Sequence, residues 1–193
     1  MTLIREHTIL AAFSIGYLIA FTTSTIVRGR SEGAIYFAVT FTAMLVVAWT
    51  YRRFRYSTWV LWGLSVWALS HMAGGLIPVG DDVLYQQQVL GDLVRYDQAV
   101  HAFGFGFATL ACAEVLSSTT GNAGVTLAIL AALAGLGLGA INEVFEFASA
   151  RIQEHTNVGG YANTGGDLSF NLLGAGVAAL TIMLTRRPET PTD

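Results

Sequence analysis

Six apolar runs, each about as long as a membrane-crossing helix, constrain this sequence more than any other feature. A helix needs about 20 largely apolar residues to cross the hydrocarbon core of a bilayer. The runs recur along the chain without the strict alternation that is typical of a membrane β-barrel. The sequence therefore predicts an all-α, polytopic membrane bundle of six transmembrane helices, with residues 1–193 as a single integral membrane domain in the lipid bilayer. The predicted spans cover residues 8–27, 33–51, 57–77, 96–117, 123–149 and 167–185.

The charged residues are few, and they exclude several classes of function. They make up 12% of the chain, with 13 acidic residues, 10 basic residues and a net charge of −3. All the basic residues are Arg, and a negative net charge without a long basic run argues against nucleic acid as a partner. Without Lys the chain lacks a Schiff-base amine. Cys112 is the single cysteine, which excludes an internal disulfide and a thiolate metal cluster.

The arginines predict the orientation of the bundle. The loop after the second span contains the Arg52, Arg53 and Arg55 cluster, and short loops rich in Arg usually face the cytoplasm. Six spans place both termini on that same side, so both termini are expected to be cytoplasmic. The first run is expected to be retained, because it is long and no small-x-small cleavage site precedes Arg28. The connections 78–95 and 150–166 are then expected outside, where they can cap the bundle.

Polar residues inside the spans are functional candidates, because they are costly in a membrane. They come from four different spans, yet all lie near the outer end of the bundle. Pairs spaced three or four residues apart share one helix face. The candidates are His71 on span three, Asp97 and His101 on span four, Glu143 and Glu146 on span five, and Asp167 and Asn171 on span six.

Carboxylates beside imidazoles suit Zn, Mn or Fe, and such an ion lowers the pKa of a bound water. Without a metal, a carboxyl group in apolar surroundings can act as an acid or base. The hypothesis therefore gives these residues three overlapping roles. The predicted catalytic residues are Glu143, Glu146, His101 and Asp97. The predicted ligands of a divalent metal ion are Asp97, His101, Glu143, Glu146 and Asp167. The predicted substrate-binding residues are His71 and Asn171.

Structural roles compete with these assignments. Asp167 follows two glycines at the predicted start of span six, so it can serve as a helix N-cap. Asp97 can cap span four or pair with Arg95. A lone imidazole such as His71 commonly satisfies a nearby polar group. Glu114, near the inner end of span four, is expected to reach the interface.

Glycines predict where the spans pack closely. Residues with small side chains four positions apart let two membrane helices approach each other. This pattern indicates that spans four, five and six form the tight core of the bundle. The glycines concerned are Gly104 and Gly106, Gly135 and Gly139, and Gly174 and Gly176.

The C-terminal half resembles known membrane families. The motifs are Tyr96-Asp97-Gln98-Ala99-Val100-His101, then Asn142-Glu143-Val144-Phe145-Glu146-Phe147, then Asp167 with Asn171 and Gly174. They resemble the YjdF-like inner-membrane proteins, and their order is similar to that of the VanZ-like family. Phe147 stands where the YjdF-like pattern has Trp.

The resemblance implies a small protein of the bacterial or archaeal inner membrane, and VanZ-like members are associated with the envelope and with glycopeptide resistance. It implies no established reaction, so whether the chain is an enzyme stays open. The leading hypothesis is a site that acts on an envelope or lipid-linked substrate. Alternatives are a transporter of a cation or small solute, and a non-catalytic accessory subunit of a membrane complex. The inner halves of spans four to six offer few polar groups, which counts against transport.

Overall fold

The computed structural model describes residues 2–29, 33–152 and 160–185. Within these ranges the chain forms six long α-helices joined by short connections, which confirms the all-α expectation. Five of them, all except the third, are long and apolar enough to cross a membrane. The helices are α1 (Thr2–Arg28), α2 (Gly33–Phe54), α3 (Thr58–Leu76), α4 (Tyr96–Thr120), α5 (Gly124–Ile152) and α6 (Tyr161–Thr185).

The helix α3 differs from the others in composition and in burial. It contains several Trp, Ser and Gly residues and His71, which lower its mean hydropathy below that of a candidate membrane span. Its 19 residues give a length of about 28 Å, close to the thickness of a bilayer core. It packs against α1 and α2 on one side and α4 on the other, so much of its surface meets protein. The sixth span therefore stays a prediction.

The last three helices form the tight core, as the glycine pattern predicts. The most extensive helix contact joins α4 to α6, and α5 packs against both. A Cβ added to Gly174 would lie 2.0 Å from the carbonyl oxygen of Ala102, so α6 approaches the backbone of α4 there. Gly135 and Gly139 likewise adjoin side chains of α4 and α6. The prediction is wrong for Gly176, which has nothing within 4 Å of its Cβ position.

Large apolar side chains cover the outward faces of these core helices. A contiguous surface of this kind is unfavourable in water and favourable against lipid. The pattern is therefore what a helix bundle in a bilayer requires. Examples are Leu133, Ile141, Phe145 and Phe147 on α5, and Leu172, Leu173, Val177 and Leu180 on α6.

The connection from α3 to α4, residues 78–95, forms a small folded unit that we call the cap segment. It consists of two short antiparallel pairs on either side of a 3₁₀ turn, Leu84–Gln86. The side chains of Val83 and Tyr85 are buried, and they pack with Val100 of α4. The segment thus covers one end of the bundle, as expected from sequence. The strands are β1 (Pro78–Val79), β2 (Asp82–Val83), β3 (Gln88–Leu90) and β4 (Val94–Arg95).

The opposite end of α3 is held by Glu114 of α4. Its carboxylate accepts hydrogen bonds from the backbone N–H of Ser57, at 2.9 Å, and from the Ser57 hydroxyl, at 2.5 Å. Ser57 immediately precedes α3, whose first N–H groups lack partners within the helix. Glu114 therefore ties α4 to the start of α3.

The N-cap interpretation of Asp167 is wrong, because α6 begins at Tyr161 and places Asp167 in its second turn. The helix starts early because the backbone N–H of Asn163 already donates to the carbonyl of Gly160. Gly166 lies inside the helix, where a Cβ would be 3.0 Å from the Gln98 side chain. The glycine thus permits close packing against α4, and it does not mark the start of the helix.

Candidate functional site

Most of the predicted polar residues meet at one end of the core formed by α4, α5 and α6. Four side chains each offer one ligand atom, and these atoms all lie within 4.8 Å of one another. They come from all three core helices, so the group depends on tertiary packing. We call this group the His–carboxylate cluster; it consists of His101, Glu143, Glu146 and Asp167.

His101 is at the centre of the cluster and is held in one orientation. Its Nδ1 lies 3.0 Å from Oδ1 of Asn171, which is an acceptor, so Nδ1 carries the proton and donates it. The other nitrogen, Nε2, lies 3.6 Å from Asp97 Oδ1 and 3.8 Å from Glu146 Oε1. In the neutral ring this nitrogen has a lone pair and no proton. Two carboxyl oxygens therefore face this nitrogen at distances longer than a hydrogen bond.

Asparagine side chains orient two of the carboxylates. Asn142 donates to Glu146 Oε1 at 2.7 Å, from one turn earlier on α5. Asn163 likewise donates to Asp167 Oδ2 from one turn earlier on α6, and its own carbonyl oxygen accepts a hydrogen bond from Arg95. These contacts fix how the carboxylates face His101.

Asp97 lies beside the cluster and outside the four-residue group. Its carboxylate is 3.5 Å from the guanidinium of Arg95 and 3.6 Å from His101 Nε2. Arg95 also donates to Gln86 of the cap segment at 3.2 Å. The pairing of Asp97 with Arg95 agrees with one of the two structural roles that the sequence indicates.

Several oxygens of the cluster are buried without a hydrogen-bond partner. Glu143 is 6% exposed and Asp167 is 0% exposed. Both carboxylate oxygens of Glu143 and Oδ1 of Asp167 have no hydrogen-bond partner among the described residues, and Glu143 Oε1 lies 3.6 Å from Nδ1 of His101. A buried carboxylate normally requires a cation or several donors. Against these carboxylates the described structure places Arg95, which contacts Asp97 and Asn163.

His71, from α3, is buried next to this group and does not belong to it. Its Nδ1 is 2.6 Å from the hydroxyl oxygen of Tyr85 in the cap segment. The structural interpretation of His71 as a residue with a hydrogen-bond partner is therefore correct for one of its two nitrogens. Asn171, the other predicted substrate-binding residue, is fully buried against His101.

Comparison with known proteins identifies the family. A family model described as a predicted membrane protein, DUF2238, matches residues 9–188. The chain belongs to the DUF2238 family. No curated protein and no solved structure matches it. The matched range includes all the polar residues of the site. It also begins within α1, so it covers the N-terminal helices as well as the core.

The family places the chain among membrane proteins, and the described helices fit a bilayer environment. The resemblance to YjdF-like proteins is consistent with DUF2238 membership. The relation to VanZ-like proteins stays an expectation that rests on the order of the short motifs.

Sequence reasoning missed three residues of the site: Asn142, Asn163 and Tyr85. The two asparagines each stand four residues before a carboxylate on the same helix, before Glu146 and Asp167. That spacing places donor and acceptor on one helix face, so it was a usable signal. Tyr85 offered no comparable signal, because its contact with His71 depends on how the cap segment folds.

Proposed function

We propose that this DUF2238 protein is a membrane-embedded metalloprotein whose His–carboxylate cluster binds one divalent cation. The observation that supports the proposal is the convergence of four ligand atoms within 4.8 Å from three helices. Its chemistry is hydrolysis of an envelope or lipid-linked substrate at the extracytoplasmic membrane surface. Asp97 takes part beside the cluster, because it adjoins His101.

Charge balance favours a cation at this position. Four carboxylates, those of the cluster and Asp97, lie close to one guanidinium, that of Arg95, in the described structure. Ionised carboxylates without compensation are unstable in a low-dielectric interior. A divalent cation in contact with Glu143, Glu146 and Asp167 removes that instability. It also satisfies the unpartnered oxygens of Glu143 and Asp167.

The surroundings of His101 are those of a metal-binding imidazole. Such a histidine usually donates its other ring N–H to an oxygen acceptor, which fixes the tautomer. Asn171 supplies that acceptor, and it leaves Nε2 of His101 free to bind the ion. Asn142 and Asn163 have the corresponding role for Glu146 and Asp167. Each proposed ligand except Glu143 therefore has an orienting partner among the described side chains.

One imidazole nitrogen with carboxylate oxygens suits Zn, Mn or Fe(II). When bound, such an ion supplies a water of lowered pKa and polarises a substrate oxygen. Glu143 would bind the ion through one carboxylate oxygen and would act as general base through the other, because neither oxygen has a hydrogen-bond partner in the described structure. Asn171 holds His101 in position through Nδ1, and Asp97 lies 3.6 Å from Nε2 on the other side of the ring.

Transport through the core receives less support from the contacts. Thr109, in the inner half of α4, donates its hydroxyl to the carbonyl of Phe105 in its own helix. Glu114 is bound to Ser57 at the start of α3. Both polar groups are thus used in local structure, and neither indicates a path that continues from the cluster.

Metal analysis tests the proposal. We expect the purified protein, washed free of loosely bound ions, to retain about one Zn, Mn or Fe per chain, because the four ligand atoms converge on a single position. A variant with Glu143→Gln and Glu146→Gln should lose that ion. The matched control is Glu114→Gln, which changes a carboxylate at the other end of α4. Absence of metal from the parent protein, after exposure to all three ions, would falsify the proposal.

We further propose that both termini are cytoplasmic and that the site faces the extracytoplasmic side. Arg52 and Arg53 at the end of α2, followed by Arg55, support this orientation. In a Cys112→Ser background, Asp81→Cys in the cap segment should react with a membrane-impermeant maleimide in intact cells. Thr120→Cys, at the other end of α4, should react only after lysis. The opposite pattern would invert the orientation and leave the cluster itself unaffected.

A further inference from the structure

His71 has one ring nitrogen for which the described protein offers no partner. The residue is 9% exposed, and its Nε2 is buried without a hydrogen bond. The other nitrogen, Nδ1, contacts the hydroxyl of Tyr85 at 2.6 Å. A buried polar atom that lacks a partner costs about 1–3 kcal/mol, so it calls for an explanation.

The proton of the imidazole can be assigned from Tyr85. Burial raises the pKa of Tyr85 well above its ordinary value, and the nearby Tyr36, Asp97 and Glu146 raise it further. The phenol therefore keeps its proton and donates it to Nδ1 of His71. A neutral imidazole that accepts at Nδ1 carries its own proton at Nε2. The unpartnered atom of His71 is thus an N–H donor.

This donor is fixed in place by aromatic packing. The ring of Trp67 stacks on His71 at 5.7 Å between centroids, and the ring of Tyr36 lies 5.2 Å away. Gly74 permits the close approach of Tyr85, since a Cβ there would meet the tyrosine ring at 2.3 Å. The imidazole cannot turn to find another acceptor without disturbing these contacts.

The His71–Tyr85 pair adjoins the proposed metal site. His71 is within electrostatic range of His101, and Tyr85 is within range of Asp97 and Glu146. The pair belongs to α3 and to the cap segment, whereas the cluster belongs to the core helices. A molecule bound between these elements would meet the N–H at Nε2 as a donor that the described protein does not use.

We propose that His71 donates through Nε2 to an uncharged carbonyl oxygen of the substrate, so that the site acts on an ester or an amide. This inference rests on the proposed metal function. It deepens that function by naming a substrate class and a second point of contact. Tyr85 is the positioning residue, since it sets the tautomer of His71 and touches no substrate itself.

The charge of the site favours a carbonyl over a phosphate group. One divalent ion and Arg95 together supply three positive charges against four carboxylates. With all four carboxylates ionised, the loaded site would carry a net negative charge and would repel a phosphate dianion in a low-dielectric environment. A carbonyl oxygen carries no net charge, and a neutral N–H is a suitable donor to it.

The test uses Co²⁺-loaded full-length protein in detergent, with binding followed by the visible spectrum of the ion. Acetamide is the uncharged carbonyl-bearing probe, and inorganic phosphate is the comparison. We expect His71→Phe to weaken the binding of acetamide about tenfold, the equivalent of one hydrogen bond of roughly 1.4 kcal/mol. Phosphate should bind more weakly than the probe, and its affinity should not depend on His71.

Two further variants make the result specific. Tyr85→Phe keeps the packing of the ring and removes the hydrogen bond that fixes the proton of His71 at Nε2. It should therefore cause a smaller loss of probe affinity than His71→Phe. His7→Phe changes a histidine of α1 whose ring contacts Tyr51 of α2, and it should have no effect on probe affinity. Unchanged probe affinity in a His71→Phe protein that still binds Co²⁺ overturns this inference alone, as does tighter binding of phosphate. Failure of the parent protein to bind Co²⁺ overturns the metal function and this inference with it.

Discussion

Gly174→Ala is expected to lower the free energy of unfolding by about 3 kcal/mol, at the upper end of the usual cost of overpacking. The added Cβ would lie 2.0 Å from the carbonyl oxygen of Ala102. That atom belongs to the backbone of α4, so no side-chain rotation can relieve the overlap. The two helices must separate, and their separation weakens the largest helix contact of the protein.

The measurement is reversible unfolding in mixed micelles, followed by far-UV circular dichroism. Gly176→Ala is the matched control, because it lies two residues away on α6 with nothing within 4 Å of its Cβ position. The control should gain up to about 1 kcal/mol from the higher helix propensity of alanine. Equal effects of the two substitutions would mean that α4 and α6 do not approach as closely as described.

Gly174→Ala should also impair metal binding. The proposed ligand Asp167 is on α6, while His101 is on α4, so a change in helix separation alters the distance between their ligand atoms. A loss of stability with full retention of metal affinity would indicate that the helices separate without disturbing the cluster.

Glu143→Met is expected to change stability in opposite directions with and without metal. In metal-free protein the substitution removes a carboxylate whose two oxygens are buried without partners. The variant should therefore be more stable than the parent, by about 1–2 kcal/mol. With metal at 100 times its dissociation constant, the parent gains about 2.7 kcal/mol by mass action, and the variant, which lacks a ligand, does not.

The free energy of unfolding is measured for parent and variant, first in the presence of EDTA and then in excess metal. The difference between the two proteins should change sign. Glu114→Met is the matched control, because Glu114 accepts two hydrogen bonds from Ser57. It should destabilise the protein under both conditions. If Glu143→Met destabilised the metal-free protein, its carboxylate would be favourable to the fold without a cation, which contradicts the charge argument.

Much of the core of the site could be predicted from sequence. Ionisable residues in apolar runs are rare, and the predicted direction of a span fixes the depth of each one. Three spans therefore placed His101, Glu143, Glu146 and Asp167 at one end of the bundle, and the structure brings their ligand atoms together. Depth and helical spacing sufficed, because in a rigid helix both depend on residue number alone.

The remaining features depend on tertiary contacts that residue spacing does not contain. Two glycines before Asp167 suggest a helix start, but packing of Gly166 against Gln98 keeps that stretch helical. The cap segment buries Tyr85 against His71, which no periodicity could indicate. Asp97 likewise lies outside the four-residue cluster, where its carboxylate pairs with Arg95.

The position of the tight core at the end of the chain has a consequence for biogenesis. Ribosomes deliver α1 and α2 to the membrane first, yet these helices make fewer contacts than the three that follow α3. His101 obtains its orienting partner only when Asn171 has been synthesised, near the end of α6. During insertion the carboxylates of α4 and α5 therefore lack their contacts with α6 until that helix has been synthesised. A nascent chain that stops before α6 presents exposed polar groups, which membrane quality-control proteases can recognise.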